Sequence, residues 1–124
     1  LHLTGNIRHF LGARLGGTGF VRDRAAEFAA RDVPRATLLR QIEEARAAVH
    51  AAASRSGDER LAEDFPDVVG GVRVAVGDYL VHLVAHFAYH LGQVDYHRRV
   101  VSGNPAGVEA VRASELATAR PVAD

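Results

Sequence analysis

The feature that most constrains this chain is a run from about Val74 to Ser102 that contains no proline and carries Val76, Leu80, Leu83, Phe87, Leu91, Val94 and Val101 at helical spacing. That stripe predicts one long amphipathic helix. Ser102-Gly103-Asn104-Pro105 supplies its stop, with Gly at the C-terminal cap position and Pro just beyond. So long an apolar face needs helical partners, and two are legible upstream. Leu3, Ile7, Phe10, Leu11 and Leu15 form a stripe that ends at Gly16-Gly17-Thr18-Gly19. Leu38, Leu39, Ile42, Ala45, Val49 and Ala52 form another, over Arg35 to Ala53, after the helix start Asp32-Val33-Pro34. Between them, the charge-dense stretch from Val21 to Phe28 reads as an ordered loop or a brief helical turn. Glu59 to Val72, with Phe65-Pro66 and Gly70-Gly71, reads as a connector with at most one helical turn. Beyond Pro105 a short helix is expected around Val108 to Ala117, before a frayed end. No strand is expected. The fold class is therefore all-α, in one domain spanning residues 1–124.

Composition removes whole classes of chemistry. Fifteen basic residues balance fifteen acidic ones, and a formal net charge of zero lacks the electrostatic footprint of a chain that grips phosphate backbones, so nucleic acid is not an expected partner. Zero cysteines exclude a disulfide framework, a thiolate metal site and a cysteine nucleophile. Every basic residue is Arg, which excludes a lysine Schiff base. Neither a charged leader with an apolar core nor a membrane-length apolar run is present, and the location is read as cytoplasmic. The chain opens on Leu1-His2-Leu3, without Met and like the middle of an apolar helix, so its start is read as incomplete.

Seven histidines in 124 positions are the remaining oddity. His82, His86 and His90 stand four apart on the long helix, slightly more than one turn, so either adjacent pair could chelate one cation. Spacing does not choose between His82 with His86 and His86 with His90. His97 stays near the same face. On the first helix His2 and His9 are seven apart, with Asn6 between them, so a bundle could bring two histidine faces together. Against this stands the structural alternative, in which each His is a polar surface group or a hydrogen-bonded core residue; His50, isolated among alanines, reads that way. A His-x-x-x-His pair on an apolar face, by contrast, costs desolvation several times over unless something pairs with it.

Three motifs in order carry a resemblance: His2-Leu3-Thr4-Gly5-Asn6 followed by Arg8; Arg22-Asp23-Arg24 with Glu27-Phe28; and His86-Phe87-Ala88-Tyr89-His90-Leu91-Gly92-Gln93 with Asp95-Tyr96-His97-Arg98-Arg99. Over most of its length the chain resembles the DinB-like (YfiT-like) family of metal-dependent proteins. The resemblance implies an up-down-down-up four-helix bundle whose first helix is missing from this chain. It also implies a homodimer, and one divalent metal ion held by His2, His86 and His90. His9 is the less favoured substitute for His2. Three imidazoles suit zinc, nickel, copper or iron, with zinc or nickel the first expectation.

Three neutral ligands leave a coordination position open, as in catalytic sites. No acidic residue lies inside His86-Phe87-Ala88-Tyr89-His90, so this helix lacks the internal general base of zincin proteases, and the metal itself must activate the nucleophile. The family includes transferases that use low-molecular-weight thiols. With no Cys in the chain, a thiol would arrive as cosubstrate. The expected function is thus a metal-dependent transferase or hydrolase acting on a small molecule. The alternative is a non-catalytic, metal-stabilised bundle serving as a dimerisation or scaffold module. Gln93 and Asn6 could orient His90 and His2 or fill polar gaps. Tyr89, Tyr96, Arg98 and Arg99 could line an anion pocket or serve the helix end. Arg22, Arg24 and Glu27 read as an ion-pair group that fixes a loop, outside the site.

Overall fold

A computed structural model describes residues 1–108 and 111–122 of the chain. Among them the regular structure is helical and contains no strand, and no helix is long and apolar enough to cross a membrane. The chain divides into two compact units, Leu1–Val84 and Ala85–Asp124.

In the first unit, α1 covers His2–Ile7 and runs on as a π-helical segment over Arg8–Leu15. The wide turns are visible in the Gly16 amide, which donates to the Leu11 carbonyl at 2.8 Å, five residues back. Helix α2 is Arg24–Ala29, so the charge-dense stretch takes the short-helix form. Its start is set by Asp23, whose side chain accepts from the Ala26 amide at 2.9 Å. Helix α3 is Arg35–Ala53, with Pro34 at its N-cap.

Helix α3 buries Ala45 and Ala52 of its expected stripe, adds Ala48, and leaves the larger members out: Leu38, Leu39, Ile42 and Val49 stay 38–53% exposed. The cause is close approach. A Cβ on Gly12 would lie 2.9 Å from the Ala48 Cβ, and one on Gly16 would lie 3.0 Å from the Ala51 Cβ. The seam between the first helix and α3 therefore admits only small residues, and the larger apolar groups of α3 flank it.

The connector folds as a short 3-10 turn, Asp58–Ala62, followed by a small hairpin-like loop. Isolated bridges pair Asp64 with Ala75 and Val69 with Val72. Gly70 and Gly71 sit between them at φ +58 and +84, the backbone of a type I′ turn. This loop carries Phe65 into the core, where it is 1% exposed. Phe65 and Tyr79 have ring centroids 4.3 Å apart, and Phe10 meets Tyr79 edge-on at 5.2 Å. Leu15, Ala52, Val76 and Leu83 complete the cluster. Burial pushes the Tyr79 hydroxyl up to about 12, with the Asp67 charge adding to the shift.

The long helix, α4, spans Val76–Ser102, and its part beyond Val84 belongs to the second unit. It ends as expected, with Gly103 in the left-handed region at φ +67. Arg98 donates to Asp95 at 2.8 Å and also to the Ala106 carbonyl, drawing the following loop back to the helix. Hydrogen bonds from Arg98 hold the Asp95 carboxyl below its ordinary range. The helix expected around Val108 to Ala117 is reduced to a 3-10 turn at Ala113–Glu115. Glu109 and Ala110 of that segment, and Ala123 and Asp124 of the expected frayed end, lie outside the described residues.

Candidate metal centre

Of the histidines spaced along α4, His86 and His90 meet. Their Nε2 atoms are 3.2 Å apart, and their rings cross nearly edge to face, with centroids 4.6 Å apart at 83°. Both are half-buried. The His90 Nδ1–H donates to the Gln93 side-chain oxygen at 2.7 Å. That bond favours the His90 tautomer whose lone pair is on Nε2, the nitrogen that faces His86. Gln93 thus takes the orienting role open to it from sequence, one turn along the same helix.

The donor set and its spacing fit a metal. Two nitrogens bound to one tetrahedral ion at about 2.0–2.1 Å stand about 3.3–3.4 Å apart. The observed separation of 3.2 Å is close to that, so a cation can bridge the two nitrogens with little movement of either ring.

His82 lies in the first unit and lays its ring against Tyr79, with centroids 5.5 Å apart and planes at 13°. His97 and His50 are exposed. Tyr89 and Tyr96 are about two-thirds exposed, at 65% and 66%. Arg98 and Arg99 both pair with Asp95, at 2.8 and 3.3 Å, and serve the end of the helix.

In the first unit, His2 and His9 have different surroundings although seven residues separate them. His9 packs edge-on against Phe10, with centroids 4.7 Å apart, and its Nε2 is 3.7 Å from an Asp67 oxygen. Burial, then the nearby Arg14 charge, lowers its pKa. His2 is met by the segment between α1 and α3. Its Nδ1 lies 3.1 Å from Arg22 Nη2 and 3.5 Å from Glu27 Oε2, and Phe28 places its ring 4.9 Å from the imidazole. Asn6, one turn along, is buried.

Arg22 grips both oxygens of Glu27, through Nε at 2.8 Å and Nη2 at 2.7 Å. Both side chains are only 10% exposed. Burial works to raise the Glu27 pKa, but the hydrogen bonds and charge of Arg22, with the His2 contact, outweigh it and hold the carboxyl below its ordinary value. The second motif of the resemblance therefore converges on the histidine of the first. Sequence reasoning found the ion pair and missed what it faces. The available signal was the run Arg22-Asp23-Arg24-Ala25-Ala26-Glu27, in which a capping Asp starts a helical turn that brings Glu27 back to Arg22. Comparison of the chain with protein-family models, with curated proteins and with solved structures finds no match.

Proposed function

We propose that this chain binds one divalent metal ion through His86, His90 and His2, and works as a metal-dependent transferase with a low-molecular-weight thiol cosubstrate, or as a hydrolase. The observation that carries the reading is the converging Nε2 pair of His86 and His90, with Gln93 holding the outer nitrogen of His90. Zinc or nickel suits such a set of imidazoles. His2 enters through the motif resemblance, and the four-helix topology and homodimer that the resemblance implies belong to the same reading. When bound, the ion would favour the deprotonated form of a thiol or water and so supply the nucleophile. The chain's own part is to supply three imidazoles, with Gln93 on the outer nitrogen of His90. It contributes neither a cysteine nor an acidic residue within the His86–His90 turn.

The test is the visible spectrum of the cobalt-substituted protein, purified without a histidine tag. Addition of a small thiol is expected to produce a sulfur-to-cobalt charge-transfer band, weakened in His2→Ala, and chelator should abolish thiol transfer to electrophilic acceptors. A cobalt spectrum that neither a thiol nor azide perturbs would mean a closed site, and the enzyme reading would fall.

A further inference from the structure

Three features of the first unit deliver the Glu27 carboxylate to His2. The Asp23 cap, accepting from the Ala26 amide at 2.9 Å, starts the helix that carries Glu27. Arg22 binds both carboxylate oxygens, at 2.8 and 2.7 Å. Gly5 leaves the space: a Cβ there would lie 1.8 Å from Glu27 Oε1. The glycine of the His2-Leu3-Thr4-Gly5-Asn6 motif is thus the gap through which the carboxylate reaches the histidine three residues earlier.

The chemistry at His2 Nδ1 is a choice between two tautomers. Arginine can only donate, so the 3.1 Å contact from Arg22 Nη2 requires a lone pair on Nδ1 and puts the ring proton on Nε2. A ring in that form cannot ligate through Nε2. A carboxylate can only accept, so Glu27 Oε2, 3.5 Å from the same nitrogen, favours the opposite form, with the proton on Nδ1 and the lone pair on Nε2.

We propose that Glu27 is a positioning residue for the metal site: it takes the Nδ1 proton of His2 as a hydrogen bond and so commits the Nε2 lone pair to the ion, with Arg22 anchoring the carboxylate and Gly5 admitting it. The proposal rests on His2 being a ligand. Carboxylate–histidine–metal relays of this kind fix ring orientation and raise ligand basicity, and their loss costs about 10- to 100-fold in metal affinity.

The experiment is a zinc titration against a chromophoric chelator, using wild type, Glu27→Gln, Ala48→Leu and His2→Ala. Glu27→Gln is expected to weaken zinc binding about 10- to 100-fold. Ala48→Leu overpacks the contact with Gly12, outside the Glu27–His2 group, and is expected to lower the unfolding midpoint while leaving affinity near that of wild type. Unchanged affinity in folded Glu27→Gln overturns the proposal, as does an equal loss in Ala48→Leu, which would mark a general effect of destabilisation. If His2→Ala binds zinc like wild type, His2 is no ligand, and the parent reading of the site falls together with this one. If His2→Ala weakens binding and Glu27→Gln does not, only the positioning role falls. Ring-nitrogen NMR of the wild-type protein supplies a readout independent of how the variants fold. Zinc is expected to move the His2 proton from Nε2 to Nδ1, and a ring that keeps its Nε2 proton when zinc is bound overturns the role.

Discussion

His9 shows at the scale of one residue how little spacing says about a histidine's work. Its Nδ1 is buried without a hydrogen-bond partner among the described residues, and burial followed by the Arg14 charge lowers its pKa below 6.5. The unfolded chain protonates this ring at its ordinary value, whereas the fold resists protonation until a lower pH. The unfolded state therefore binds more protons in that interval, and stability falls as pH drops below about 6.5 towards the folded pKa. In metal-free protein, urea midpoints measured at about pH 7.5 and about pH 5.5 should show a steeper loss for wild type than for His9→Gln. Equal losses would contradict the assignment. His86, His90 and Gln93 were legible as a group because helical periodicity links residues within one turn. Glu27 was not legible as a partner of His2. The contact joins residues 25 positions apart, and depends on how the chain between α1 and α3 folds back, which no local pattern encodes.

At the scale of elements, periodicity placed α1, α3 and α4 and included two of the three buried residues of α3, Ala45 and Ala52, but missed Ala48. It also counted Leu38, Leu39, Ile42 and Val49, which stay 38–53% exposed, because the glycines of the first helix permit a close approach that selects small residues. Ala48 is 4% exposed and faces Gly12. Ala48→Leu should therefore overpack the seam and destabilise the chain by about 1–3 kcal/mol, measured by urea unfolding, with Ala47→Leu on the exposed side nearly neutral. Equal effects at the two positions would contradict a close-packed seam. The hairpin-like loop was a missed signal: Val69-Gly70-Gly71-Val72 is a two-glycine turn between β-branched residues, and left-handed φ at both glycines is what a type I′ turn requires. The tail shows the opposite failure. Apolar residues from Val108 to Ala117 suggested a helix, but the described part of that stretch has no buried residue to reward one.

At the scale of the whole molecule, the all-α class followed from three apolar stripes without a competing period-two pattern. The functional reading joins two observations that belong to different parts of the chain: a converged imidazole pair on α4, and a histidine on α1 with a carboxylate and an arginine built around one of its nitrogens. The central proposal is that His86, His90 and His2 hold one metal ion. Elemental analysis of the untagged protein, after equilibration with zinc and removal of the unbound metal, tests it most directly. The account predicts about one zinc per chain, lost in His86→Ala and in His90→Ala and retained in His82→Ala. Absence of bound metal in wild type, or stoichiometry that survives both His86→Ala and His90→Ala, would contradict it.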